Sequence, residues 1–336
     1  MTVDAQQSAL HVAPRIVPLP TGVSAEAQAV LAAGVPAPSP EYPALDDKLG
    51  WRQRVAADDE MCRSIFRPIG LLDLKPGDRQ LDLDDCSVFI SEPPEIPDDD
   101  PTVMFMIHGG GWTSMGGDIA RGLGRAYAEH LGIRVWSVDY RMPPDHPFPT
   151  PLDDCMDAYA ALRKECDPSN VVLSGGSAGA NIAAGLLVRA RDEGIALPSA
   201  AWLDTGAYDL TCGGDSMHTN LGLDNVLTRS LQPPMELYAA EYDLRHPHVS
   251  PLFADLSDLP PTLITTGTRD LFLSDNVRMH RALLRAGVDA ELHVWEAAAH
   301  GMFHQSAPED LEKRNQVRTF LDKSLVNRPS HSSSTA

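Results

Sequence analysis

Residues 171–181 read "VVLSGGSAGAN": a short apolar run, then Gly175, Gly176, Ala178 and Gly179 crowded around Ser177, then the start of an apolar helical pattern. Three structures accept that composition: a flexible linker, a phosphate-binding turn, or a catalytic nucleophile on a strained corner. A phosphate loop requires G-x-x-x-x-G-K-[ST], and no lysine follows here. A linker is inconsistent with "NVVLS" before the glycines, which reads as a buried strand, and "AGANIAAGLLVRA" after them, which reads as a helix. Strand, G-x-S-x-G and helix in succession form a nucleophile elbow. There the serine holds an unfavourable backbone conformation with its hydroxyl exposed above a sheet, and the flanking glycines remove side chains that would clash across the turn.

Outward from this stretch the chain alternates. Strand candidates are "CSVFIS", "TVMFMIHG", "RVWSVDY", "NVVLSG", "SAAWLD", "PTLITTG" and "AELHVWE". Several are continuous apolar runs, as parallel strands covered on both faces require. Between them lie helical patterns: "IARGLGRAYAEHLG", "PLDDCMDAYAALRKE", "AGANIAAGLLVRARDEG" and "NVRMHRALLRAG". The alternation argues for an α/β fold, a doubly wound sheet covered by helices. Residues 205–250 break the rhythm and read as an insertion. Before residue 75, "DDKLGWRQRVAADDEMCRSIF" has helical spacing, while residues 1 to about 45 are rich in Pro and Ala. The end, "VNRPSHSSSTA", is polar and expected to be disordered.

The 336 residues carry a net charge of −20, which disfavours nucleic acid, anionic membrane surfaces and strongly acidic substrates as partners. The five cysteines (Cys62, Cys86, Cys155, Cys166, Cys212) show no metal-type spacing, which points to reduced thiols and a cytoplasmic protein. The N-terminal stretch lacks a signal-peptide pattern, and no apolar run is long enough to span a membrane.

A serine nucleophile needs a base, and the base an orienting carboxylate. "TLITTGTRDLF" places Asp270 in the loop after one strand, and "ELHVWEAAAHGMF" places His300 in the loop after the next. An Asp after a strand is often a helix cap, and a loop His is often only solvated. The order Ser177, Asp270, His300 on successive strand ends argues for joint use. "MIHGGGWTSM" adds glycines after an apolar strand, exposing backbone N–H groups suited to an oxyanion hole.

The chain resembles the hormone-sensitive-lipase-like carboxylesterases, the bacterial family IV esterases of the α/β-hydrolase superfamily. The matching stretches are "HGGGW" (108–112), "DYRMPPDHPFP" (139–149), "GGSAGA" (175–180), "DLRHPHVSPL" (243–252), "GTRDLF" (267–272) and "HGMF" (300–303). The resemblance implies a mostly parallel eight-stranded sheet, a catalytic triad of Ser177, Asp270 and His300, and an oxyanion hole of the Gly110, Gly111 and Ala178 N–H groups. It implies a catalytic domain over residues 76–325 with a helical cap made from parts of residues 1–75 and from an insertion at about 205–245, leaving 326–336 as a tail. It implies hydrolysis of small, uncharged, short-chain esters through an acyl-enzyme with no cofactor. Relatives that pair through an edge strand suggest a homodimer through "AELHVWE". The chain departs from the family at Gly176, where Asp is usual, at Ala180, where Gly is usual, and at "RDLFLSD". Similar "GTRDLFLS" stretches occur in ε-lactone hydrolases, so a lactone is an alternative substrate. An amide is another, and a non-catalytic binding protein on this fold is disfavoured by the presence of His300.

The remaining motifs have plainer readings. Trp112 is expected to line the acyl pocket or simply to pack. His108 is expected to order the glycine loop, and Asp139 and Arg141 to form ion pairs. His246 with His248, and His300 with His304, lack a third ligand or an HExxH pattern, so no metal is expected. Asp98, Asp99 and Asp100 read as a solvated loop.

Overall fold

The computed structural model describes residues 14, 16–37, 40–97 and 99–325. The expected tail at 326–336 and most of the first fifteen residues lie outside that range. Eight strands form one sheet: β1 (Arg79–Asp82), β2 (Ser87–Ser91), β3 (Val103–Ile107), β4 (Arg134–Asp139), β5 (Val171–Gly176), β6 (Ala200–Asp204), β7 (Thr262–Gly267) and β8 (Ala290–Trp295). Their order is β1-β2-β4-β3-β5-β6-β7-β8. β1 and β2 run antiparallel to their neighbours, and every pairing from β4 through β8 is parallel.

Each of the seven strands read from the sequence is present. β1, "RQLD", was not expected: three of its four residues are exposed, so it has no apolar run to reveal it. Alternation on β3 explains why the sheet must be covered twice. Val103, Phe105 and Ile107 enter one core, while Met104 and Met106 enter another on the opposite face. The helices are α1 (Ala25–Ala32), α2 (Lys48–Phe66), α3 (Asp118–Leu131), α4 (Thr150–Glu165), α5 (Ala178–Asp192), α6 (Ser216–Thr219), α7 (Gln232–Ala239), α8 (Leu273–Arg285) and α9 (Pro308–Ser324). The first core includes Leu152 and Tyr159 of α4 and Ile182 and Leu186 of α5. The second includes Ala128 and Leu131 of α3 and Val317, Phe320 and Leu321 of α9.

The segments outside the alternating core touch one another. Arg229, in the stretch between α6 and α7, pairs with Glu41 at 2.9 Å and sits over the Tyr42 ring at 5.1 Å. On α2, Arg63 pairs with Asp118 at 3.0 Å, and Asp59 accepts the Met115 N–H at 2.8 Å. α1 goes elsewhere: Ala27 and Leu31 pack with Trp295, Ala297, Met302 and Phe303, beside the loop that carries His300. No described helix is long and apolar enough to cross a membrane.

Two sequence expectations need correcting here. Arg141 does form ion pairs, with Asp154 at 2.7 Å and Asp85 at 3.1 Å, but Asp139 instead accepts the Gly117 N–H at 2.9 Å. Asp100 is not a solvated loop residue. It is 2% exposed, and its Oδ1 accepts from both the N–H and the hydroxyl of Thr102, which turns the chain into β3.

Candidate active site

Ser177 follows β5 and caps α5 with φ 56° and ψ −121°, a region that L residues with a Cβ avoid. Holding it there costs about 1–3 kcal/mol, which the surrounding contacts must supply. They are visible. The Ser177 N–H donates to the Asp204 carbonyl at 2.8 Å. A Cβ on Gly175 would lie 2.4 Å from the Gly179 carbonyl oxygen, and one on Gly179 would lie 2.1 Å from the Ile107 carbonyl oxygen. Those two glycines are therefore required by backbone contact. Gly176 is different: a Cβ there meets nothing within 4 Å.

The parallel order of β5 to β8 places the ends of these strands along one edge. Asp270 follows β7 and His300 follows β8. Asp270 is fully buried and His300 is 8% exposed. Asp270 Oδ1 contacts His300 Nδ1 at 3.1 Å and accepts the Phe272 N–H at 2.9 Å, while its Oδ2 accepts the Thr266 hydroxyl at 2.8 Å. With Nδ1–H donated to this carboxylate, Nε2 is left as the basic nitrogen. Burial alone would lower the His300 pKa, but the charge and hydrogen bond of Asp270, with the charges of Asp224 and Asp204, outweigh it and raise the pKa above the ordinary value. The Ser177 side chain makes no capping hydrogen bond. Contacts between nucleophile and base are commonly long in unliganded sites and tighten with substrate.

Asp204, at the end of β6, is a third carboxylate near the elbow, but its oxygens are occupied. Lys313 Nζ of α9 donates to both at 2.6 and 2.7 Å, and the Thr265 hydroxyl donates to Oδ1 at 2.6 Å. Thr265 Oγ1 in turn accepts the Trp202 indole N–H at 2.9 Å.

The glycine loop follows β3. Gly110 and Gly111 have φ of 102° and 59°, and a Cβ on Gly109 would meet the Gly176 carbonyl at 2.9 Å and Ser177 Cβ at 3.2 Å. The loop thus lies directly against the serine. The Gly110 carbonyl accepts the Thr113 and Ser114 N–H groups, both at 3.1 Å, and the Ser114 hydroxyl at 2.9 Å, which fixes the turn. Gly110 begins that anchored turn and Gly111 lies within it, and Ala178 is the first residue of α5, where N–H groups have no intrahelical acceptor. This set of donors can face negative charge developing on an oxygen bound at Ser177.

His108 braces the loop. Its Nδ1 contacts the Gly109 carbonyl at 2.8 Å, its ring stacks on Tyr140 at 4.3 Å, and Tyr140 donates its hydroxyl to the His108 carbonyl at 2.9 Å. Burial pushes the His108 pKa down, so the ring is a neutral structural group.

Trp112 is not brought to a pocket surface. It has no exposed area, stacks on Tyr238 at 5.5 Å, and donates Nε1–H to Asn181 Oδ1 at 3.1 Å. Its part is to pin the glycine loop to α5, because packing claimed the whole ring. His246 Nδ1 accepts the His248 N–H at 3.2 Å, and His304 Nε2 contacts Asn225 Nδ2 at 3.5 Å. No group of three metal-ligating side chains occurs among the described residues.

The sequence reading missed four supporting residues. Asn220 Nδ2 donates to the carbonyls of Asp270 at 2.8 Å and Thr268 at 3.2 Å. Asp224 reaches the N–H groups of Leu271 and His300. Asp204 and Lys313 form the pair described above. All four act on backbone or through long-range pairing, which leaves no local sequence pattern.

A family model described as an alpha/beta hydrolase fold matches residues 104–304. The chain is 34% identical over 226 residues to an acetyl-hydrolase of Streptomyces hygroscopicus, covering 66% of this chain and 76% of that protein. The crystal structure of an esterase, E25, superposes with a TM-score of 0.87 at 33% identity, covering 94% of this chain and 99% of that one. An esterase from the bacterial hormone-sensitive lipase family superposes with a TM-score of 0.73 at 27% identity, over 90% of this chain and 99% of that one.

Proposed function

The chain belongs to the hormone-sensitive-lipase-like carboxylesterases of the α/β-hydrolase fold and is a carboxylic ester hydrolase; from that premise we propose that it cleaves small, uncharged, short-chain esters with Ser177 as nucleophile. The observation that carries this reading is the positive-φ elbow at Ser177, set on the same sheet edge as the Asp270–His300 hydrogen bond.

In this mechanism His300 Nε2 takes the Ser177 proton as Oγ attacks the ester carbonyl, and Asp270 stabilises the imidazolium. The N–H groups of Gly110, Gly111 and Ala178 receive the oxyanion, each contributing about 3 kcal/mol to the lowering of the barrier. His300 then protonates the departing alcohol. In the second half it deprotonates the water that releases the acid from Ser177. The net charge of −20 favours uncharged substrates.

α2 with the described residues just before it, and the 205–245 segment, joined through Arg229, Glu41 and Tyr42, form the cap in this reading. The five free thiols support a reducing compartment, and β8, an edge strand, is the pairing surface of a dimer.

The test is a series of nitrophenyl esters of rising acyl length, with a medium-ring lactone and an anilide, assayed on wild type and Ser177→Ala. Turnover of the shortest esters, falling with acyl length and abolished in Ser177→Ala, is expected. Full activity in the variant would refute the assignment of the nucleophile.

A further inference from the structure

We propose that Asp224 is a positioning residue for the triad: a buried carboxylate that binds the backbone N–H groups of Leu271 and His300 together and ties the inserted segment to the catalytic loops. This rests on the assignment of Asp270 and His300 above.

Asp224 has no exposed surface. Its Oδ1 accepts the N–H groups of Val226 at 2.9 Å and Leu227 at 3.0 Å, within its own turn. Its Oδ2 leaves that turn, accepting the Leu271 N–H at 3.0 Å and the His300 N–H at 3.3 Å. Leu271 is the residue after Asp270, so one carboxylate oxygen binds the backbone beside the acid and that of the base itself. No cation pairs with Asp224 among the described residues, whereas Asp204 has Lys313 at 2.6 Å. A fully buried carboxylate held only by backbone N–H groups is costly unless its hydrogen bonds are well made. An Asp serving only its local turn would need one oxygen. The second is committed across 47 residues of chain to Leu271 and across 76 to His300.

Neighbouring contacts have the same direction. Asn220, one turn earlier, binds the carbonyls of Asp270 and Thr268, and Ser216 Oγ donates to the Leu271 carbonyl at 2.7 Å. The segment from Ser216 to Asp224 therefore grips the acid loop through several backbone groups, and Asp224 alone extends the grip to His300.

The charge has a second consequence. The charged groups acting on His300 are Asp270 after β7, Asp224 in the insertion, and Asp204 at the end of β6. Of these, Asp204 is paired with Lys313 of α9. Asp224 thus helps stabilise the imidazolium that forms as Ser177 attacks, and its removal moves the His300 pKa down.

The experiment compares wild type, Asp224→Asn and Ser177→Ala on a short-chain nitrophenyl ester, with rates corrected for the fraction of sites titrated by an organophosphate. For Asp224→Asn, kcat per titrated site falls at least tenfold with KM within about twofold, and the acid limb of kcat/KM moves to lower pH. Unchanged kcat per titrated site and an unmoved limb overturn the proposal. An active Ser177→Ala would instead refute the underlying triad, so the two failures are distinct. If Asp224→Asn does not fold, amide hydrogen exchange on wild type decides. The proposal requires the Leu271 and His300 amides to be protected, and exchange at the rate of an open loop overturns it.

Discussion

At the scale of single residues, the glycines around Ser177 are not equivalent, and the difference is measurable. A methyl on Gly179 would press 2.1 and 2.5 Å from the Ile107 and His108 carbonyl oxygens, which belong to the backbone leading into the glycine loop. Backbone cannot move aside without shifting the proposed oxyanion donors. Gly179→Ala should therefore lose about 3 kcal/mol of stability or at least 100-fold in kcat, by denaturant melts and ester hydrolysis. A methyl on Gly176 meets open space. Gly176→Ala should change stability by less than about 1 kcal/mol, and in the stabilising direction, because a glycine within a strand carries an entropic cost. Gly176 pairs in register with Asp204 on β6.

At the scale of elements, the structure separates what the sequence displays from what it hides. The seven recognised strands displayed themselves through apolar runs, because parallel strands are buried on both faces. The proposed triad of Ser177, Asp270 and His300 could be picked out because each follows a strand end in a fixed order, and the glycine loop because three consecutive glycines follow an apolar strand. β1 was not legible, since three of its four residues face solvent, and neither was the part played by α9. That helix sends Lys313 into the sheet edge to meet Asp204, whose carbonyl holds the Ser177 N–H. The pair is buried, and removing only the cation leaves a carboxylate without compensation. Lys313→Met should cost about 3–5 kcal/mol, read as a lowered unfolding midpoint. Adding Asp204→Asn should recover part of that loss, as expected for coupled partners. Trp112 marks the limit of motif reading: a tryptophan beside a glycine turn is equally suited to a pocket wall and to a packed floor, and only the stacking on Tyr238 decides between them.

For the whole molecule, the arrangement couples distant stretches of chain at one place. β5, β6, β7 and β8 each deliver one group to the same sheet edge, and the inserted segment binds the Asp270 and His300 loops through Asn220 and Asp224. α1 braces the far side of the His300 loop, with Ser24 held by Glu309 of α9 at 2.7 Å. The account therefore singles out one serine among all those in the chain as the nucleophile. The most direct measurement is covalent trapping with an uncharged organophosphate ester, followed by intact mass and peptide mapping. The account predicts one adduct per chain, on the peptide containing Ser177, with hydrolysis lost in proportion to labelling. An adduct on another residue, or activity that survives complete labelling of Ser177, would contradict it.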